Sequence, residues 1–513
     1  MAATYDVHVD WDADGTFTGP YDKVTARTLD DRTQVTCAYG RDSARTLTPM
    51  RPGDARLELN NRDRLLSPEN SSSALYDKVI PGRDIRIQGT LGGTAYTLFR
   101  GFTDDVDFDL AFEGRSVPMS CADPMSRLKG IAISTGMYQG IRTGDALRLI
   151  LDAVGWSPSL RDIDPGATVI SWWWLETADA YDAAMELLDS EGPAALLTAD
   201  SAGRIVFRDR HHRLTRTASQ TIQSTWRASG IEPTFSAPAS YVHGWKDVIN
   251  SVAFDVPVRV PSPAPVVIWT APSRISIASG ETLPVTVKGS GPFIAAILPV
   301  VNVDYTAVGT VTIAMTKTDG ESTTLYLTAP SGAAAVDNLQ VRGQLLQATT
   351  TVVTVEDGAS ITKYGRRTST SLRQPVWANP YDAAAIATLI VGARAERLPA
   401  ITVTMAGGND VRLLQQFTRN LSDRIHLVEP HTGLDADCWI NQISHTVSQG
   451  GTEHRTAFAL EKVPTAVATP FTFDVAGRGF NDGLFAQAGS DNPSTMFLFD
   501  QAGRGFDQGV FCT

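Results

Sequence analysis

Carboxylates at alternate positions in Asp10-Trp11-Asp12-Ala13-Asp14-Gly15 give the chain its one metal-like string. Calcium loops place oxygen ligands in this way ahead of a turn glycine. Such loops carry an acidic ligand at the twelfth position, where this chain has Tyr21, with Asp22 one place late. A hairpin turn built on Asp and Gly is the expected structure, and no metal or cofactor is expected to bind. Asp209, His211 and His212 form a second cluster, but neighbouring strand residues face opposite ways, so the two histidines do not converge on one ion. A surface or domain-interface position is expected for them. His445 and His454 flank a hairpin and are placed to pair across it. No serine or cysteine nucleophile motif accompanies them, so their expected role is structural.

The wider search for catalysis finds no H-E-x-x-H, no G-x-S-x-G, no Walker A and no G-x-G-x-x-G after a strand. No catalytic residue is expected. A wall-cleaving carboxylate pair depends on a separation that sequence does not reveal, and Trp172-Trp173-Trp174 has the composition of a sugar platform. Core or subunit-interface packing is the expected use of those tryptophans.

A duplicated motif closes the chain. Phe473-Asp474-Val475-Ala476-Gly477-Arg478-Gly479-Phe480, continuing to Phe485, returns 26 residues later as Phe499-Asp500-Gln501-Ala502-Gly503-Arg504-Gly505-Phe506, continuing to Phe511. Each copy is too short and glycine-rich to bury a core of its own. Phe473, Phe480, Phe485, Phe499, Phe506 and Phe511 are therefore expected to dock on another chain.

Those residues belong to a chain of 513 amino acids with 42% hydrophobic and 19% charged residues, an ordinary globular composition long enough for several cores. Its net charge is -12 and it has no run of five basic residues, so the footprint of a sequence-specific nucleic-acid binder is missing. Cys37, Cys121, Cys438 and Cys512 are widely separated, as expected for thiols made in a reducing bacterial cytoplasm. The N-terminus lacks the basic and apolar regions of a signal peptide. Pro299 interrupts the best apolar run, 293–303, which is shorter than a membrane span.

Pattern divides the chain into five stretches. Residues 1–128 alternate as short antiparallel strands, with Tyr5, Val7, Val9 and Trp11 on one face. Residues 129–245 form a small α+β unit. One helix there runs from N-cap Thr143 to C′ residue Gly155, a second from about Ala178 to Glu191, and a hairpin turns at Asp200 and Gly203. Residues 246–370 return to Thr/Val/Ile-rich strands, with the proline-rich 260–265 expected as a rigid connector. Residues 371–464 hold a helix capped by Asn379-Pro380, alternating strands, and a hairpin at Gly450-Gly451. Residues 465–513 carry the duplication.

Several segments, in order, resemble hub-type minor tail proteins of long-tailed bacteriophages of high-GC Gram-positive bacteria. They are Trp11-Asp12-x-Asp14-Gly15-x-Phe17, Gly40-Arg41 with Leu57-Glu58-Leu59-Asn60-Asn61 and Ser67-Pro68, Gly82-Arg83, Asn338-Leu339-Gln340-Val341-Arg342-Gly343, Ser360-Ile361-x-x-Tyr364-Gly365-Arg366, and Leu421-Ser422-Asp423-Arg424-Ile425. The resemblance implies a mainly β fold with α+β insertions: a multidomain baseplate hub, related to that of contractile-tailed phages, with two barrel-like β domains and a small helix-containing domain. It further implies a homotrimeric ring at the virion tail tip that joins the tail tube to the tip or fibre proteins and forms the DNA-ejection conduit. The partners implied are a distal tail or tail-tube protein, the tape-measure protein, and a central fibre or other tip protein. The alternatives are a tail-associated cell-wall hydrolase and a host-receptor-binding tail protein.

Overall fold

The structure, a computed structural model, describes residues 3–28, 34–41, 50–106, 115–242, 244–245, 247–369 and 372–464. Alternation of apolar and polar residues decides the first unit. Thr4–Val9 buries Tyr5, Val7 and Val9, while Asp6 and His8 take the other face. Asp84–Leu91, Thr94–Val106, Ser116–Ala122, Met50–Asn60 and Val35–Arg41 extend this sheet in that spatial order, each antiparallel to the last. Its core gathers Trp11, Leu57, Leu59, Ile85, Ile87 and Phe99, and each side chain of this kind contributes about 1.5–3 kcal/mol on full burial.

The sheet does not stop there. Val35–Arg41 pairs antiparallel with Leu434–Ser448, from Val35 opposite Val447 to Gly40 opposite Gln442. Glu453–Lys462, Ala400–Ala406 and Ser236–Val242 continue the path, while Arg424–Glu429 and Ile222–Arg227 branch from it, giving twelve strands in all. Ile401, Val403 and Met405 point into the core of this second β unit, as their alternation requires.

Between the two ends of the chain lie two insertions. In the α+β insertion, helices Thr143–Ala153 and Ala180–Glu191 pack with strands Leu196–Ala199 and Ile205–Arg208 around Leu147, Ile150, Trp173, Leu187 and Phe207. Asp179 caps the second helix, and Asp200 with Gly203 makes the hairpin turn. Gly155, with φ +71, follows the first helix as its C′ residue. Thr143, however, is the first helical residue and not the N-cap, because its hydroxyl is committed to the Glu191 carboxylate.

The other insertion rides on a long ribbon of Ser251–Pro261 against Gln340–Glu356. Beyond the ribbon, Val266–Thr270, Thr282–Ile297 and Gly320–Thr328 enclose a core of Ile268, Phe293, Leu325 and Leu327. The proline-rich stretch is not an interdomain connector. It turns between Ser251–Pro261 and Val266–Thr270, both of which pair with the same strand, and the Ser262 amide donates to Leu345 O at 2.8 Å. At the ribbon's base, helix Pro380–Arg394, capped by Asn379, sets Ala383, Ile386 and Ile390 against Val252, Phe254 and Val256. The fold is mainly β, with helices confined to short packed elements. Among the described residues no helix is long and apolar enough to cross a membrane.

Candidate functional site: the junction of the two β units

The seam between the β units is where charged residues go underground. Gly40, with φ +108, sits where a Cβ would stand 2.4 Å from Asn441 O, so only glycine lets the strands meet there. Beside it, buried Arg41 donates to Pro193 O at 2.7 Å and Ala195 O at 2.6 Å, tying the seam to the α+β insertion. Burial, and then neighbouring Arg213, lowers its pKa. Glu461, 5% exposed, joins three elements: Arg394 at the end of the ribbon-packing helix, Arg213 at 3.5 Å, and Asn441 Nδ2 at 2.9 Å. Next to this set, Arg210 is 2.5 Å from Asp382 and donates to Thr168 Oγ1 at 2.6 Å. Glu191 stands 3.8 Å from Arg210 and accepts from the amides of Ala167 and Thr168, both at 2.8 Å.

Such a network loses much of its Coulomb gain to desolvation, so its value lies in fixing one arrangement of the elements it joins. His212 belongs to the same junction. Its Nδ1 lies 2.8 Å from Asp209 O, a pure acceptor, so Nδ1 carries the proton and Nε2 accepts from Ser422 Oγ at 2.8 Å. Burial, followed by Arg213, holds His212 well below the ordinary histidine range. Ser422 and His212 thus make a hydroxyl–imidazole contact, but both are buried and Ser422 Oγ also accepts from Arg213 Nε at 3.3 Å, so the pair is enclosed within the junction and fixes its orientation.

Among the proteins of known structure with which this chain aligns are three tail proteins. A tail protein from Neisseria meningitidis aligns over 90% of this chain and 97% of its own, at 10% identity and a TM-score of 0.47. The 43 kDa tail protein of prophage MuSo2 from Shewanella oneidensis aligns over 90% and 98%, at 12% identity and 0.45. A prophage tail protein from Listeria monocytogenes aligns over 90% and 95%, at 10% identity and 0.39. No family model and no curated protein sequence matches the chain.

The residues singled out by sequence fall in scattered places. In the Asp10 loop, the Asp10 carboxylate accepts from the amides of Asp14 at 3.2 Å and Gly15 at 2.8 Å, so it serves the turn, while Asp12 pairs with Lys78 at 2.6 Å. Among the described residues no group of three or more His, Cys, Asp or Glu is disposed to hold a metal ion. His211 and His212 do not lie in a strand, as sequence suggested. They open the short helix His212–Thr215, because the Asp209 carboxylate caps the turn at the His211 amide. His445 and His454 do meet across their hairpin, with Nδ1 of His445 3.1 Å from Nε2 of His454, and burial pushes His445 down to about 3.

Trp173 is fully buried, and Trp174 packs edge-on against Trp377 and donates to Glu321 at 3.1 Å. Cys37, Cys121 and Cys438 are buried thiols. Phe473, Phe480, Phe485, Phe499, Phe506 and Phe511 lie outside the described residues. Sequence reasoning missed Arg210, Arg213, Arg394, Glu191 and Glu461, whose partners lie up to 248 positions apart, as Glu461 does from Arg213. No local spacing signals such a set.

Proposed function

We propose that the chain is a structural protein of a bacteriophage tail tip, a baseplate-hub subunit that works by holding partners in register and not by catalysis. One observation carries this reading. One β unit from residues 4–122 and another from residues 222–462 join through the pairing of Val35–Arg41 with Leu434–Ser448 into one twelve-stranded sheet, and a buried ion network ties the second unit to the helices packed beside it. The resemblance in the sequence implies two barrel-like β domains, and two β units paired edge to edge support that reading. On this reading three copies form a ring, its β units arranged with pseudo-sixfold symmetry, which joins the tail tube to the tip or fibre proteins and surrounds the ejected DNA. Its partners are further copies of itself, the distal tail or tail-tube protein, the tape-measure protein and a central fibre. The six phenylalanines of residues 473–511 would dock that next component.

The test sets the hub against a wall hydrolase and a receptor binder. The purified chain, imaged by electron microscopy at assembly concentrations, is expected to form threefold rings, to leave peptidoglycan intact and not to attach to host cells. Monomers that clear peptidoglycan or coat cells would overturn the proposal.

A further inference from the structure

A row of basic residues crosses the outer face of the first β unit. In register, Lys23 lies opposite His8, His8 opposite Arg86, and Arg86 opposite Arg100. Directly opposed residues share a face, and the residues that alternate with them, Val7, Ile85, Ile87 and Phe99, are in the core. The four side chains therefore project together from the other face. Phe17 lies over that face: the guanidinium carbon of Arg86 is 4.5 Å from its ring centroid, that of Arg100 5.7 Å, and the His8 ring 6.1 Å.

Like charges directly opposite cost a strand pair stability, and a sheet ordinarily answers with a carboxylate. Lys23 has one, Asp6 at 2.5 Å. Among the described residues neither the Arg86 nor the Arg100 side chain makes a hydrogen bond or ion pair, and Arg86 Nε is shut off from solvent with no partner. His8 Nδ1 is in the same condition. Burial, then Arg100, lowers the Arg86 pKa; burial, then Arg86, lowers that of His8. The flanking rows offer Asp6 and Asp84, already engaged by Lys23 and by Arg127 at 2.7 Å, and the uncharged Gln88 and Thr97, which bond to each other at 3.2 Å. Two part-buried cations held on one aromatic ring, in a chain of net charge -12, are an arrangement that an anion completes.

We propose that Arg86 and Arg100, seated on Phe17 and flanked by His8, form a binding site for a phosphate-type oxyanion. Each guanidinium presents a rigid fork, the strands that carry them lie roughly 4.8 Å apart, and both forks sit on the one Phe17 ring. A tetrahedral anion offers oxygens to both forks, whereas one planar carboxylate matches a single fork. The phosphate arrives either as the free dianion or within a phosphodiester, and the two are separable by experiment.

The full chain is titrated calorimetrically with inorganic phosphate, a thymidine dinucleotide and acetate, with chloride holding ionic strength constant, and its melting is followed in each. The expected result is saturable one-to-one phosphate binding that weakens about tenfold or more in Arg86→Gln and in Arg100→Gln, and is unchanged in Arg274→Gln. Phosphate is expected to raise the Tm of the parent and not of the double variant. Binding of the dinucleotide with the same dependence on both arginines assigns the source as a phosphodiester, and its failure assigns the free anion. Should a glutamine variant fail to fold, Arg86→Lys keeps the charge while removing the fork and is expected to show the same weakening. Absence of saturable phosphate binding, equal binding of acetate, or binding indifferent to both arginines would overturn the proposal.

Discussion

At the level of single residues, the charges of the junction are buried yet matched. Glu461 answers both Arg394 and Arg213, so Glu461→Ala leaves two cations without water and without their carboxylate. It is expected to cost about 3–5 kcal/mol in urea unfolding. Exchanging Glu461, Arg394 and Arg213 together for apolar residues of similar volume should recover much of that loss, since a well-packed apolar cluster avoids the desolvation cost and leaves neither cation unpaired. A triple variant as unstable as the single one would show that the network is not what Glu461 supports. His445 makes a pH prediction. Burial sets its folded pKa at about 3, against 6.5 for the free side chain. Above 6.5 both states are neutral and nothing is lost. As pH falls from 6.5 toward 3 the unfolded chain takes up a proton that the folded chain refuses, and stability drops by up to about 1.4 kcal/mol per pH unit. Asp123, pushed up to about 7 by burial, contributes with the opposite sign, but it is present in parent and variant alike. The parent should therefore lose more stability than His445→Gln between pH 7.5 and pH 4.5, as read from urea midpoints. Parallel losses would remove the buried pair from the account.

Among the elements, the seam and the helix caps hold the strands and helices in place. At Gly40 an added Cβ would meet Asn441 O at 2.4 Å with the backbone at φ +108, so Gly40→Ala strains the join between the two β units. It is expected to destabilise by roughly 1–3 kcal/mol or more, whereas Gly82→Ala, which meets nothing within 4 Å although φ is +87, pays only the backbone cost. Equal losses would mean that the seam is not tightly closed. Asn379 accepts from the amides of Tyr381 and Asp382, both at 2.9 Å, and Asn379→Ala should cost about 1 kcal/mol.

This is also the scale at which the sequence was most legible. Alternation located the strands at Tyr5, Val7 and Val9 and at Ile401, Val403 and Met405, and Asn-Pro located the helix start at 380. Those signals are local and face one core. Thr143 deceived because a capping hydroxyl and a tertiary partner look alike in sequence, and its hydroxyl serves Glu191. The proline-rich turn deceived because Pro261 can end one strand while its neighbours open the next. The junction was illegible because Val35–Arg41 meets its seam partner some 400 positions away, and no periodicity carries across that distance.

For the whole molecule, two β units and two insertions form one framework whose proposed work is assembly. Deleting the residues after Pro464 removes the duplicated Phe-Asp-x-Ala-Gly-Arg-Gly-Phe motif while sparing the described sheets, which end at Lys462. The truncated chain is expected to assemble like the full chain yet fail to recruit the downstream tip or fibre component. A complete, infectious tail built with it would refute the docking role and leave the hub role standing. The central claim is that this chain is a ring-forming structural subunit, and native mass measurement combined with electron-microscopy images of the purified full chain at assembly concentration tests it most directly. The account predicts a homotrimeric particle with threefold symmetry and an open centre. A monomer at every concentration, both alone and in the tail, would contradict it.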